Sequence, residues 1–234
     1  MLEYIAFDAD DTLWHNEHLF LEAEDRFVEL LTKYHSEAWI RERLAKIQIT
    51  NLEYFGYGIK GFMLAMIETA IELSEGRISG SEIRVVMELG KQMRLGAVEL
   101  LDGVRPVVEM LAREYKLLLI SKGDLFDQEA KLVKSGLDEL FTHVEIVANK
   151  SEDAYQRIFK KYEINPARFL MVGNSLRSDI APVVKIGAHA VFIPYKTTWE
   201  HELLSSEELE ELKVSFHQIA KISDLPALIE DKFR

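Results

Sequence analysis

The 234-residue chain carries 48 % apolar and 29 % charged side chains, the makeup of a folded globular protein with room for one large domain or for a core with a smaller insert. Cysteine is absent, which excludes disulfide frameworks, cysteine–zinc sites and a cysteine nucleophile. The formal net charge of −12 disfavours nucleic-acid polymers as partners, and it requires any phosphate site to supply its own local positive charge.

The chain starts Met1-Leu2-Glu3-Tyr4-Ile5-Ala6-Phe7-Asp8, a short apolar run ending in an acid. That pattern predicts a buried strand over Tyr4–Phe7 and not a secretory leader. No apolar run reaches the length of a membrane span, so a cytoplasmic location without a membrane partner is expected. From His15 to Gly96 apolar residues recur at helical spacing, in 19–34, 38–47, 62–73 and 83–95, and the Tyr54-Phe55-Gly56-Tyr57-Gly58 segment interrupts the pattern. The Tyr/Phe cluster there reads as helical-domain core, with a substrate contact as the alternative. The spacing predicts a helical domain over 15–96, inserted after the first strand.

Beyond the re-entry at Gly96–Gly103, further buried strands are predicted over 117–120, 144–147, 169–172 and 190–193. Helices are predicted between them over 104–114, 125–135, 152–162 and 178–186, with Gly136 and Gly187 placed as C-terminal caps. A short strand near Val214–Phe216 and a last helix near Leu225–Lys232 complete the reading. Strands alternating with helices give an α/β core, residues 1–14 and 97–234, built on a Rossmann-like, mostly parallel sheet.

In such a sheet, ligands bind beyond the carboxyl ends of the strands. The segments found there are Asp8-Ala9-Asp10-Asp11-Thr12, Ser121-Lys122-Gly123-Asp124, Asn149-Lys150 and Gly173-Asn174-Ser175-Leu176-Arg177-Ser178-Asp179. Taken singly, each is an ordinary turn or helix start; four in order, each at a strand end, converge on one rim. A carboxylate such as Asp8 can attack phosphorus, and Asp10, two positions on, can face the same substrate as acid and then base. Asp179 is a natural further ligand for magnesium, which takes oxygen donors. Ser121 can donate to a phosphate oxygen, and Lys150 supplies the required positive charge.

This ordered set resembles the haloacid dehalogenase-like hydrolase superfamily over essentially the whole chain. Asp8-x-Asp10-x-Thr12 resembles its first motif, Ser121 its second, Lys150 its third and Gly173-Asn174-Ser175-x-x-Ser178-Asp179 its acidic fourth. The helical insert resembles the family's helical cap. The resemblance implies magnesium bound by the Asp8 carboxylate and the Asp10 main-chain carbonyl. Two departures stand out: Asn174 where aspartate is more frequent, which removes a charge near the metal, and Asp11 where glycine is common. Asp10 favours phosphate esters, because the family's carbon-attacking dehalogenases lack that aspartate.

The expectation is therefore a magnesium-dependent phosphomonoesterase for a small phosphorylated metabolite. Asp8, Asp10, Ser121 and Lys150 are its catalytic candidates. Thr12, Lys122, His15 and Asn16 join Ser121 and Lys150 as substrate-binding candidates; Asp8, Asp10, Asp179 and Asn174 are metal candidates. A phosphonate or haloacid hydrolase of the same fold, and a non-catalytic binding or regulatory protein, are the competing readings. Arg177 reads as an exposed helix-start residue, and 197–201 as a loop near the rim. The substrate and the oligomeric state are not written in the sequence.

Overall fold

The computed structural model describes residues 1–197, 199, 202–205, 208 and 216–233. Its sheet contains β1 (Tyr4–Phe7), β2 (Lys116–Lys122), β3 (His143–Val147), β4 (Phe169–Gly173), β5 (His189–Phe192) and β6 (His217–Gln218). The order is β3-β2-β1-β4-β5-β6 and every pairing is parallel. Alternate residues of the central strands feed two different cores, as the two-residue period of a strand demands. Ile5, Phe7, Leu117, Leu119, Leu170 and Val172 pack with α5 (Val104–Leu111) on one face. Tyr4, Ala6, Leu118, Ile120, Phe169 and Met171 pack on the other with Tyr155, Ile158 and Phe159 of α7 (Glu152–Tyr162). Because both faces are covered, the central strands read as unbroken apolar runs.

The predicted helix over 178–186 is two pieces. A wide helical turn, Leu176–Ile180, precedes the short α8 (Ala181–Lys185). Pro182 is the cause: it has no N–H to offer the carbonyl of Ser178, which accepts instead from the Tyr155 hydroxyl at 3.1 Å. The last strand also differs from expectation. Val214 lies outside the described residues, and the pairing with β5 is made by His217 and Gln218, with α9 (Leu225–Phe233) following.

The helical region consists of α1 (Glu17–Leu31), α2 (Glu37–Phe55), α3 (Ile59–Leu73) and α4 (Gly80–Leu95), around a core that includes Phe27, Leu31, Leu44, Phe62, Met66 and Leu89. Ser79 and Glu82 close a reciprocal capping box at the start of α4. Helix α2 runs eight residues past the end of its predicted periodicity and stops where Gly56 takes φ 67°, a left-handed value that favours glycine. Tyr54 and Phe55 next to it are 70 % and 52 % exposed, so they are not core residues.

The chain divides into two compact units. One comprises Met1–Glu17, Val98–Lys122 and Gln128–Arg234; the other comprises His18–Ala97 and Gly123–Asp127. The sequence placed 123–127 in the α/β core. Charge and stacking explain its grouping with the helices: Lys60 pairs with Asp124 at 2.9 Å, Arg94 pairs with Asp127 at 2.9 Å, and the Arg94 guanidinium lies 3.8 Å from the Phe126 ring centre. Helix α6 (Leu125–Ser135) thus begins in one unit and continues in the other. Among the described residues no helix is long and apolar enough to cross a membrane.

Candidate active site

Strand β1 has β2 on one side and β4 on the other, so the chain leaves β1 and β4 at the point where the strand order reverses. Parallel sheets open a crevice there, beyond the carboxyl ends of the strands. Asp8 follows β1 directly and Asn174 follows β4. The Asp8 main-chain N–H donates to the Val172 carbonyl at 2.9 Å, which ties the two strand ends together.

Lys150, buried in the β3–α7 connection just before the α7 N-cap Ser151, touches the carboxylate of Asp8 and lies 2.7 Å from Asp179 Oδ1. The other Asp179 oxygen accepts from the Ser175 N–H at 3.0 Å. Gly173 is required for this arrangement, because a Cβ there would overlap the Asp179 carboxylate. Two carboxylates therefore share one ammonium in a nearly solvent-free place. Burial pushes Asp8 up to about 7; Lys150 acts against that shift, while Asp179 and Asp10 add to it. In Lys150, burial favours the neutral amine, but Asp179 and Asp8 outweigh it and hold the group charged above its usual range.

On its other side Asp8 meets Thr12 and Asn174. Thr12 Oγ1 lies 3.2 Å from Asp8 Oδ2. One end of the Asn174 amide lies 3.0 Å from Thr12 Oγ1, 3.1 Å from Asp8 Oδ2 and 3.2 Å from the Asp10 carbonyl oxygen. With nitrogen at that end, the two amide N–H groups are within hydrogen-bond reach of all three oxygens. With oxygen there, the Thr12 hydroxyl donates to it at 3.0 Å, while the Asp8 and Asp10 oxygens face it with no proton between them. Such spacing matches neighbouring ligands of an octahedral magnesium ion, about 3.0 Å for bonds of about 2.1 Å. The surplus negative charge of the Asp8–Asp179–Lys150 group also suits a cation. The set combines a carboxylate, a carbonyl and an amide; among the described residues no three His, Cys, Asp or Glu side chains form a metal cluster.

The Asp10 side chain turns to a second group of donors. It accepts from Trp14 Nε1 at 2.7 Å, Gln128 Nε2 at 3.0 Å and Lys131 Nζ at 2.8 Å. Gln128 also donates to Ser121 Oγ, which leaves the serine proton able to point elsewhere. Asp11 has φ 61° and accepts from the N–H groups of Asn16 and Glu17, so it caps the start of α1. Burial pushes it up to about 6 against those two bonds.

A family profile described as haloacid dehalogenase-like hydrolase matches residues 2–187. The chain belongs to this family. A solved haloacid dehalogenase-like family hydrolase from Xanthomonas campestris is 36 % identical, with a TM-score of 0.86, over 98 % of this chain and 91 % of its own. The N-acylneuraminate-9-phosphatase of Mus musculus is 24 % identical over 97 % of this chain and 93 % of its own length. The glyceraldehyde 3-phosphate phosphatase of Pyrococcus furiosus is 27 % identical over 55 % of this chain and 52 % of its own.

Within this haloacid dehalogenase-like hydrolase, Asp8, Thr12, Lys150, Asn174 and Asp179 come together in one cluster, and Asp10 and Ser121 meet through Gln128. Asp179 accepts from Lys150 and from the Ser175 N–H, and the Asn174 amide lies beside the Asp8 and Asp10 oxygens. Asn16 reaches Asp10 only through Lys131, its Oδ1 accepting at 2.7 Å. His15 turns to the Tyr195 hydroxyl, 2.6 Å from its Nδ1. Lys122 pairs with Glu202. Arg177 donates to the Leu203 carbonyl at 2.9 Å and pairs with Glu208 at 2.9 Å. In the 197–201 segment, Thr198, Glu200 and His201 lie outside the described residues. Gln128 and Lys131 escaped the sequence reading; their signal was a three-residue spacing that puts both on one face of α6.

Proposed function

We propose that this hydrolase is a magnesium-dependent phosphomonoesterase that acts on a small phosphorylated metabolite through an aspartyl-phosphate on Asp8. The observation that carries the reading is the position of the Asp8 carboxylate, in contact with Lys150 and 3.1 Å from the amide of Asn174, whose same atom lies 3.2 Å from the Asp10 carbonyl. Magnesium would be held by Asp8, the Asp10 carbonyl and the oxygen end of Asn174, and would neutralise phosphoryl charge.

The residues divide the work as follows. The Asp8 oxygen forms a bond to phosphorus as the ester P–O bond breaks, and Asp10 gives a proton to the departing oxygen. In the second step Asp10 takes a proton from water, whose oxygen bonds to phosphorus while the Asp8–phosphorus bond breaks. Trp14, Gln128 and Lys131 fix the Asp10 carboxylate. Ser121 donates to a phosphoryl oxygen, and Lys150 balances charge on Asp8 and the phosphoryl group. The phosphatase names of the two curated relatives support this chemistry over carbon–halogen cleavage. So does the second aspartate, Asp10, which a carbon–halogen bond does not need.

The test is hydrolysis of 4-nitrophenyl phosphate by the purified chain with magnesium, with a chelator, and with Asp8→Asn. The expected result is turnover that needs magnesium and disappears in the variant. Full turnover by Asp8→Asn would refute the nucleophile assignment.

A further inference from the structure

Lys122 and Glu202 lie outside the chemistry assigned to Asp8, yet they build a complete anion site. The Glu202 carboxylate accepts from Lys122 Nζ, from Ser175 Oγ at 2.6 Å and from Ser178 Oγ at 2.6 Å. Ser178 Oγ also lies 3.1 Å from Lys122 Nζ, and Ser175 Oγ accepts from the Ser178 N–H at 3.0 Å. Each serine oxygen thus accepts one bond from the protein and turns its own proton to the carboxylate. Both serines are more than nine-tenths buried. Burial alone would favour a neutral Glu202, but Lys122 and the two hydroxyls outweigh it and hold the carboxyl at about 2.

The cradle and the Asp8 cluster are built from the same two strand ends. Lys122 follows Ser121, Ser175 follows Asn174, and Ser178 precedes Asp179. The Ser175 N–H that donates to Asp179 belongs to the same residue whose hydroxyl holds Glu202. Glu202 itself comes from a different part of the chain, beyond β5, so the occupant and the cradle are separable. A second anion on a substrate at this rim would face Asp8, Asp10, Asp179 and Glu202. Exchange with Glu202 preserves the number of charge-assisted bonds, whereas binding beside it adds repulsion.

We propose that Lys122, Ser175 and Ser178 form a carboxylate-binding subsite, filled here by the chain's own Glu202 and opened when a carboxylate on the leaving group of the substrate takes its place. The proposal narrows the substrate class to phosphate esters that also carry a carboxylate. That part rests on the phosphatase reading; the existence of the subsite does not.

The experiment uses the full chain with Glu202→Ala and acetate as the probe. Arg177 donates to the neighbouring Leu203 carbonyl at 2.9 Å, a contact that does not involve the Glu202 side chain. Acetate should raise the melting temperature of Glu202→Ala saturably, with half-effect on the order of 10 mM, beyond the effect of equal chloride. Wild type, and the double variant Lys122→Met with Glu202→Ala, should respond to acetate no more than to chloride. An equal response to both salts in folded Glu202→Ala, or an undiminished acetate response in the double variant, would overturn the subsite. Should Glu202→Ala not fold, the isosteric Glu202→Gln replaces it. There kcat/KM for 4-carboxyphenyl phosphate relative to phenyl phosphate should rise about tenfold over wild type. An unchanged ratio with both esters turned over overturns the subsite. Loss of the phosphatase reading shows differently, as turnover of neither ester while folded Glu202→Ala still answers to acetate.

Discussion

Asp8 and Glu202 are both removed from bulk water and both bonded to a lysine, yet their carboxylates behave in opposite ways. Asp8 shares Lys150 with Asp179, and burial lifts it to about 7. Glu202 faces Lys122 and two serine hydroxyls and is held at about 2. Burial opposes ionisation in both places, so the number of counter-charges and donors per carboxylate decides the outcome. The Asp8 region is left with surplus negative charge. The Glu202 region is electrostatically complete.

The largest effect that tests this contrast is expected from Asp8→Asn, which should lower turnover at least about 1,000-fold, in line with loss of a nucleophile. The same variant should melt higher than wild type in metal-free buffer at pH 7. The sign follows from the raised value: between about pH 4 and 7 the unfolded chain has lost a proton that folded Asp8 keeps, so wild-type stability falls as pH rises through that window. A lower melting temperature for Asp8→Asn, followed by calorimetry with a chelator present, would show that the excess charge is not a source of tension. Lys150→Met leaves Asp8 and Asp179 without their shared ammonium. It should cost about 3–5 kcal/mol in urea unfolding, and an unchanged midpoint would break the comparison.

Asn174→Asp adds a carboxylate beside Asp8. It should lower the metal-free melting temperature and tighten magnesium binding about tenfold by titration calorimetry. Unchanged affinity would separate Asn174 from the cation. The smallest effect belongs to the complete site and appears only in acid. With Glu202 held below its ordinary 4.5, its contribution is full above about pH 4.5 and is lost as pH falls toward about 2. Wild type should therefore lose stability across that interval more steeply than Glu202→Gln, as chelator-treated unfolding curves at several pH values would show.

Much of the site was legible because buried parallel strands are apolar on both faces. Each one announces itself as a short run, and the polar residues that follow it fall at the carboxyl end of the sheet. Asp8, Ser121, Lys150 and Asn174 were found in that way. Gln128 and Lys131 were not, because polar residues on an exposed-looking helix are common and their partner Asp10 is more than a hundred residues away. The break of the helix predicted over 178–186 was legible in principle from Pro182. The relief of that break by Tyr155 was not, since it depends on a hydroxyl from another helix. Tyr54 and Phe55 misled because aromatic residues near glycines resemble a core, and nothing local shows that the end of α2 leaves them exposed.

The sequence by itself determined the parallel α/β core, the helical insert, the order of the four site segments and the family, because apolar periodicity and motif spacing are local properties. Tertiary structure decided how the charges are shared. It gave Lys150 to two carboxylates, set the Asn174 amide against the Asp8 and Asp10 oxygens, and turned Asp179 toward the lysine. It also brought Glu202 to Lys122, across 80 residues of chain. Charge pairing in a buried place depends on distance and solvent exclusion, and neither exists until the strands and helices have packed.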